Sequence, residues 1–391
     1  MKLLIKNGRV VDPANNLDEV VDIVVEKNRI SKVGKNVRGE ADKIIDASGK
    51  IIMPGLVDMH VHLREPGGED KETVASGTNA AAKGGITSVL AMPNTQPAID
   101  SAENVLLLKK IIKERASVNV FIAGAISKHR LGKELADIAK LKTAGAIAIS
   151  DDGSSVDNDR LFLEALNRAK KQKLLVICHS EDKSLSGNGV VNLGFISTRM
   201  GLRGVSNESE YKRVERDIRL AGKAGAPIHI AHVSCRESVE LIAKAKKRGV
   251  KITAETAPHY FSLSEEAVLG YDTNMKVNPP LRSKEDVAAI KQGLKSGVID
   301  AIASDHAPHT ESEKDIEYER AEFGMTGLET ALAVSITELV NTGLLDWKEL
   351  VQKLAVNPAR ILGIDKGALS VGSDADIILV SPDKEWVVKK E

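Results

Sequence analysis

Eight of the nine histidines lie within or directly after short apolar segments of β-strand character, and only His129 does not. Two of the eight, His60 and His62, are separated by a single residue. Side chains two positions apart on a strand point to the same side, so both imidazoles can bind one metal ion. A His-x-His pair alone is more often two half-buried polar side chains. The prediction of a metal site therefore depends on what other strands contribute.

Further nitrogen and oxygen ligands recur at the ends of four other apolar segments. These are Asp151 and Asp152, His179, His229 and His232, and Asp305. His229 and His232 are three residues apart and face opposite sides of their strand, so at most one of them enters the site. We expect His232, which is nearer the end of the strand, to do so and His229 to lie in the core.

Four imidazoles and two carboxylates are more ligands than one tetrahedral zinc ion accepts. They fit two zinc ions about 3.5–4 Å apart that share a carboxylate. Such a pair lowers the pKa of a bound water towards about 7 and polarises a carbonyl oxygen, which is hydrolytic chemistry. A carboxylate must then carry the proton to the leaving nitrogen, and Asp305 is our candidate for this general base and acid. One or two zinc ions are expected, and two are favoured.

Eight apolar, β-branched segments alternate with helical ones through the middle of the chain. The strand segments are 56–63, 87–92, 118–125, 146–150, 174–180, 227–234, 251–258 and 300–306. This order predicts an α/β protein, a (β/α)8 TIM-type barrel whose active site lies at the C-terminal ends of its strands. An open doubly wound sheet is less favoured because no G-x-G-x-x-G follows any strand.

Both ends of the chain have β-strand character instead. Short β-branched segments punctuated by Gly, Asn and Asp occupy residues 1–52, and residues 367–391 have the same character. We therefore predict a small composite β-domain formed by both termini. The expected divisions are 1–52 and 365–391 for this domain and 53–364 for the metal-dependent barrel.

Composition excludes several classes of protein. The 391 residues carry 55 basic and 55 acidic side chains, and aromatic residues make up only 3%. A chain of zero net charge lacks the basic surface of a protein that binds nucleic acid or an anionic membrane. Two cysteines form no disulfide framework, and neither a signal peptide nor a membrane span is apparent. We expect a cytoplasmic protein that acts on a small molecule.

Two long motifs connect these observations to a known family. The segments DMHVHLREP (58–66) and ASDHAPHTESEK (303–314) resemble the first and second motifs of dihydroorotases in the amidohydrolase superfamily. The shorter segments AMPNTQP (91–97), SDDG (150–153), CHSED (178–182), AHVSC (231–235), VNPPLR (277–282) and FGMTG (323–327) agree with the same family. The resemblance extends in order over essentially the whole chain.

The resemblance implies a role for each matching residue. His60, His62 and Asp305 would bind one zinc ion, His179 and His232 a second, and Asp152 both. The substrate would contact His62, with Arg64, Asn94 and His309 at its carboxylate and Asn278 and the backbone of Phe323 and Gly324 at its ring. Asp305 would be the general base and acid.

One departure from many superfamily members concerns the fourth strand. Hydantoinases, allantoinases and some dihydroorotases bridge their metals with a carboxylated lysine there, whereas this strand contains none. That matches the longer dihydroorotase type, in which an aspartate takes the place of the lysine. The choice of Asp152 rather than Asp151 rests on the resemblance and not on spacing.

The sequence thus predicts a zinc-dependent dihydroorotase that interconverts N-carbamoyl-L-aspartate and L-dihydroorotate in pyrimidine biosynthesis. The alternatives are an allantoinase or hydantoinase, and a non-catalytic dihydroorotase-like scaffold subunit. A homo-oligomer is expected, and a complex with aspartate carbamoyltransferase is left open. The charged segment 311–327 is interpreted either as a solvated loop or as a flap that closes over the substrate.

Overall fold

The computed structural model describes residues 1–388. The chain begins with five strands rich in β-branched residues, which form most of a six-stranded sheet. They are β1 (Lys2–Asp12), β2 (Leu17–Glu26), β3 (Arg29–Gly34), β4 (Lys43–Asp46) and β5 (Ile51–Pro54). β1 pairs with β2 antiparallel and with β4 and β5 parallel. Asn7 and Asn28, both with positive φ, lie at the irregularity inside β1 and at the turn between β2 and β3.

Eight short parallel strands then form one continuous sheet in which each neighbours the next along the chain. They are β6 (Leu56–Val61), β7 (Ile86–Ala91), β8 (Asn119–Gly124), β9 (Ala148–Ile149), β10 (Leu175–Cys178), β13 (Ile228–Ile230), β14 (Ile252–Thr256) and β15 (Ala301–Ile302), while β11 (Val191–Asn192) and β12 (Gly204–Val205) pair separately. The first and last strands meet where the His62 amide donates to the His306 carbonyl at 2.9 Å. The sheet therefore curves round to a nearly closed barrel.

Helices connect the barrel strands and cover their outer side. They are α1 (Val74–Lys83), α2 (Ala102–Arg115), α3 (Ile138–Ala144), α4 (Asp159–Gln172), α5 (Lys183–Ser186), α6 (Phe195–Met200), α7 (Glu208–Ala224), α8 (Arg236–Lys247), α9 (Pro258–Ser262), α10 (Lys284–Lys295), α11 (Glu311–Lys314), α12 (Ala331–Ser335), α13 (Trp347–Val351) and α14 (Asn357–Leu362). In α4 the Asn158 side chain accepts from the Leu161 amide and caps the first turn. Its buried residues Phe162, Leu166 and Ala169 recur at helical spacing and face the core.

The loops beyond the C-terminal ends of the strands have a core of their own. Segment 190–205 packs there against residues 257–281 and against Tyr318, around the buried side chains of Tyr260 and Leu281. The Tyr260 hydroxyl donates to the Pro279 carbonyl at 2.7 Å. This packing holds the loops that carry several of the predicted substrate contacts.

The C-terminal segment returns to the first sheet. β16 (Ile377–Val380) pairs antiparallel with β5, and the Leu369 amide donates to the Asp12 carboxylate at 2.8 Å. The predicted α/β barrel with a small β-domain from both termini is therefore confirmed. The domain divisions at 52 and 365 remain our proposal, and residues 389–391 of the predicted C-terminal part lie outside the described residues. Among residues 1–388 no helix is long and apolar enough to span a bilayer.

Candidate metal centre

The predicted ligands come together at the C-terminal ends of the barrel strands, around the carboxylate of Asp152. His60 Nε2 lies 3.3 Å from Asp152 Oδ1, and His62 Nε2 lies 3.4 Å from Asp152 Oδ2. His179 Nδ1 and His232 Nε2 each lie 3.5 Å from Asp152 Oδ1. Residues far apart in the chain thus meet at one carboxylate.

Asp305 completes the cluster on the side of the first two histidines. Its Oδ1 lies 3.4 Å from His62 Nε2 and 3.6 Å from His60 Nε2. Two overlapping groups have ligand atoms close enough to share an ion, namely His60, His62 and Asp305, and His60, Asp152 and His232. The arrangement offers ligands for two positions rather than one.

Unsatisfied polar atoms show that the cluster suits a cation. His60 Nε2 and Asp152 Oδ1 are buried, and among the described residues neither makes a hydrogen bond. Leaving such groups buried and unpaired is costly, whereas a divalent ion would bind both. Imidazole nitrogens with carboxylate oxygens are a zinc donor set. The residues present therefore fit a divalent metal.

The backbone is unusual at two of the predicted ligands and at one predicted substrate contact. Arg64, His232 and Asp305 have positive φ angles of 60°, 37° and 50°. Non-glycine residues adopt this conformation rarely, and when they do it is often at functional sites. Strand alternation would place Arg64, two residues beyond His62, on the same side as the two histidines, but β6 ends at Val61. The turn, and not continued strand geometry, directs the Arg64 side chain.

The electrostatics of the cluster favour ionised carboxylates. Burial opposes ionisation of Asp305, but the imidazoles of His60 and His62 outweigh it and hold its pKa below the ordinary range. Burial lowers the pKa of His179, but its contacts with Asp152 and Glu181 outweigh burial and raise the pKa to about 9, so a metal ion that binds Nδ1 displaces a proton. The carboxylates therefore remain ionised at neutral pH, as metal ligands must.

The two consecutive aspartates after β9 have different surroundings. Asp151 accepts hydrogen bonds from the backbone amides of Ile126 and Ser127 at 2.8 and 3.0 Å and from the Ser127 hydroxyl. It stabilises the loop after β8. Asp152 instead faces the histidines, as the family resemblance implied and spacing alone did not decide.

Behind the cluster lies a second layer that the sequence analysis missed. Glu255 Oε1 lies 2.8 Å from His60 Nδ1, and its Oε2 lies 3.2 Å from His229 Nε2. His229 Nδ1 in turn lies 2.8 Å from the Thr253 hydroxyl. His229 is thus fully buried away from the ligand cluster. A glutamate inside the apolar segment 251–258 was the available signal, since a buried carboxylate requires a partner.

Three predicted substrate contacts lie close to His62 and Asp305. Asn94 Oδ1 lies 2.8 Å from His62 Nδ1, so this amide orients a ligand imidazole. Arg64 Nη2 lies 3.2 Å from His309 Nε2, and Arg64 Nε donates to the Pro308 carbonyl at 3.1 Å. A guanidinium and an imidazole therefore stand side by side next to the metal ligands.

The predicted ring contacts lie on two neighbouring loops. Asn278 Nδ2 donates to Glu181 Oε2 at 3.2 Å. The Phe323 carbonyl lies 2.9 Å from His309 Nε2, and the Gly324 amide donates to the Lys276 carbonyl at 2.9 Å. Gly324 has a φ of 144°, and a Cβ there would lie 2.4 Å from the Ala307 carbonyl oxygen. Only glycine fits this close approach to the backbone of Ala307.

Two lysines hold segment 311–327 in place. The Lys276 ammonium is buried and lies 4.5 Å from the centre of the Phe323 ring. It donates to three backbone carbonyls of the segment, those of Tyr318, Glu319 and Ala321, at 2.9, 3.0 and 2.6 Å. Lys314 donates back to the Thr273 carbonyl at 3.0 Å. From these contacts we predict an ordered loop rather than a flap.

Comparison with known proteins agrees with this geometry. A family model described as dihydro-orotase-like matches residues 49–238. The dihydroorotase of Elusimicrobium minutum is 54% identical over 100% of this chain and 90% of its own length, and that of Geotalea daltonii is 51% identical over 100% and 92%. L-hydantoinase from Arthrobacter aurescens has a similar structure, with a TM-score of 0.86 at 28% identity over 96% of this chain and 86% of that one. D-hydantoinase from a Thermus species gives 0.84 at 25% identity over 98% and 87%.

The eight-stranded barrel carries histidines and aspartates at the C-terminal ends of its strands and is joined to a sheet formed by both termini. These features define an amidohydrolase. Full-length identity above 50% to two dihydroorotases narrows the class further. The chain belongs to the dihydroorotase family. The family, the enzyme class and the fold predicted from sequence are thereby confirmed.

Proposed function

We propose that this chain is a zinc-dependent dihydroorotase that interconverts L-dihydroorotate and N-carbamoyl-L-aspartate in pyrimidine biosynthesis. The observation that carries the proposal is the position of Arg64 and His309. A carboxylate-binding guanidinium and an imidazole adjoin a cluster suited to hydrolysis. Dihydroorotate combines these two requirements, since it is a cyclic amide that bears a carboxylate.

Two zinc ions are favoured over one. His60, His62 and Asp305 would hold one ion, His179 and His232 the other, and Asp152 would contact both. The 3.3–3.5 Å distances from all four imidazoles to the Asp152 oxygens support a shared carboxylate. When bound, zinc supplies Lewis-acid polarisation of a carbonyl and activation of water.

Asp305 is the proposed general base and acid. Its carboxylate is the most exposed of the ligand set, with 13% of the side chain accessible, so it can reach a substrate. In hydrolysis it would take the proton of the attacking water and return it to the ring nitrogen as the amide bond breaks. In cyclisation the same carboxylate would remove the proton from the carbamoyl nitrogen.

Arg64 and His309 would bind the substrate carboxylate, and Asn94 would keep His62 oriented beside it. Asn278 and the backbone at Phe323 and Gly324 would contact the ring. This set also distinguishes dihydroorotate from hydantoins and allantoin, which carry no carboxylate in the corresponding position. With such substrates the Arg64 guanidinium would have no anion to bind, so they would gain no binding energy from this site.

The decisive experiment is turnover of L-dihydroorotate with metal quantified on the same sample. We expect efficient turnover and about two zinc ions per chain, and slow or absent turnover of allantoin and unsubstituted hydantoin. Preference for hydantoin would overturn the substrate assignment. Absence both of turnover and of tightly bound metal would instead favour the non-catalytic scaffold.

We further expect the enzyme to act in the cytoplasm as a homo-oligomer. Light scattering of the purified protein, alone and mixed with aspartate carbamoyltransferase, tests the oligomeric state and the partner separately. A monomeric mass of the protein alone would contradict the homo-oligomer, and a mixture that shows only the two separate masses would argue against the complex.

A further inference from the structure

The carboxylate of Glu181 joins the metal cluster to the predicted ring contact. Glu181 lies in the loop after β10, two residues beyond His179. Its Oε2 lies 3.2 Å from His179 Nε2 and also accepts from Asn278 Nδ2 at 3.2 Å. Its Oε1 accepts from the Ser186 hydroxyl at 2.6 Å, which fixes the carboxylate from the other side. One oxygen thus contacts two residues with different proposed roles.

The contact with His179 fixes which ring nitrogen faces the metal position. His179 Nδ1 points into the cluster, 2.8 Å from His232 Nε2 and 3.5 Å from Asp152 Oδ1. An ionised carboxylate only accepts hydrogen bonds, so Glu181 draws the ring proton to Nε2. The lone pair of Nδ1 is then directed at the metal position, as in other carboxylate–histidine–metal arrangements.

The contact with Asn278 fixes the orientation of an amide. Because the carboxylate accepts, the amide group must present Nδ2 to Glu181 and turn Oδ1 elsewhere. Asn278 lies between the buried Val277 and Pro279 and is itself half-buried. Its backbone is therefore held by the loop core, and Glu181 determines the remaining side-chain freedom.

We propose that Glu181 is a positioning residue that couples metal binding by His179 and His232 to ring binding by Asn278. The proposal rests on the proposed function for the identity of the ring. Loss of the carboxylate frees two groups at once, a metal-ligating imidazole and a substrate-binding amide. The effects on zinc binding and on substrate binding should be separable, because Glu181 Oε2 contacts His179 for the first and Asn278 for the second.

The substitution Glu181→Gln keeps the size of the side chain and removes its charge. The matched control is Asp182→Asn, which removes a charge from the adjacent position. The Asp182 carboxylate accepts from Ser184, and asparagine caps the start of α5 equally well. Glu181→Asp, which withdraws the carboxylate by one methylene, serves if E181Q does not fold.

Zinc titration of the metal-free protein against a chromophoric chelator gives the first readout. We expect E181Q to weaken one of the two zinc equivalents about 10–100-fold and to leave the other unchanged. In a His232→Ala background, where that position is already impaired, E181Q should add little. Equal weakening of both equivalents, or of neither, overturns the proposal. Since no substrate is used, this result is independent of the proposed function.

The second readout is dihydroorotate kinetics at saturating zinc. We expect E181Q to raise KM about five- to tenfold, because the amide contact loses a charged partner. In an Asn278→Ala background the same substitution should leave KM unchanged while the zinc effect persists. An equal KM effect with and without Asn278 overturns the coupling. If the wild-type protein does not turn over dihydroorotate at all, the proposed function fails and the zinc titration still decides the role of Glu181.

Discussion

The guanidinium of Arg64 lies 3.2 Å from the imidazole of His309, although 245 residues separate them in the chain. The arginine turns out of the end of β6 with a positive φ, and the histidine follows β15. The loops after the first and last barrel strands thus contribute one residue each to the proposed site for the substrate carboxylate. Burial, with the Arg64 charge adding to it, lowers the pKa of His309 to about 4. The histidine is therefore neutral at physiological pH, and Arg64 supplies the positive charge.

Because Arg64 carries the positive charge of the pair, the effect of Arg64→Lys on substrate binding can be predicted. A lysine keeps the charge but cannot form two parallel hydrogen bonds to a carboxylate. Loss of such a contact is worth about 1.5–3 kcal/mol, so KM for dihydroorotate should rise about 10–100-fold with a smaller change in kcat. Steady-state kinetics measure this, with the exposed Arg320→Lys as control. An unchanged KM would remove Arg64 from the substrate site.

The proposed role of Asp305 predicts that Asp305→Asn separates turnover from metal binding. The amide cannot accept the proton of the attacking water, so kcat should fall about 10²–10⁴-fold. The other ligands remain, and bound zinc should persist when metal and rate are measured on one sample. Asp315→Asn, an exposed aspartate in the following loop, is the control. A near-normal rate in D305N would falsify the proton transfer.

The barrel could be predicted because its strands are short and apolar and alternate with helical segments. The placement of His60 and His62 followed from strand alternation. Alternation failed at Arg64, whose direction is set by a turn with positive φ that no periodicity encodes. Beyond the strand ends, the side chains depend on long-range contacts.

The supporting layer could not be predicted for the same reason. Glu255 contacts His60 across 195 positions, and Glu181 contacts Asn278 across 97. Such pairings are specified by the closure of the barrel and not by local sequence. Asp152 was separated from Asp151 only by family resemblance, because neighbouring residues after a strand carry no signal of which one turns inward.

His259 predicts a pH dependence of stability. It is buried beside the Tyr260 ring, and among the described residues its Nε2 makes no hydrogen bond. Burial lowers its pKa from 6.5 to about 4, with Asp305 opposing only in part. Between these values the unfolded chain binds a proton that the folded chain does not, so the free energy of unfolding decreases as the pH falls from 6.5 to about 4.

The variant His259→Gln should lack this contribution. Urea unfolding of metal-free protein at pH 7.5 and pH 5 measures it. Between pH 7.5 and pH 5, the free energy of unfolding of the variant should rise by about 2 kcal/mol relative to that of the wild type. This is the difference expected for one group with these two pKa values. The exposed His129→Gln is the control and should track the wild type. An identical difference between H259Q and the wild type at both pH values would contradict the assignment.

Lys276 predicts how segment 311–327 behaves. Its ammonium donates to three backbone carbonyls of the segment, and its own carbonyl accepts from the Gly324 amide. Lys276→Met retains the aliphatic stem and leaves those carbonyls without a donor, which costs about 1–3 kcal/mol for each buried group. Limited proteolysis should therefore cut this segment at least about tenfold faster in the variant than in the wild type, since cleavage follows the population of the open form. In the wild type we expect slow cutting that orotate changes little, because the loop is already closed. Strong protection of the wild type by orotate would instead restore the interpretation as a flap.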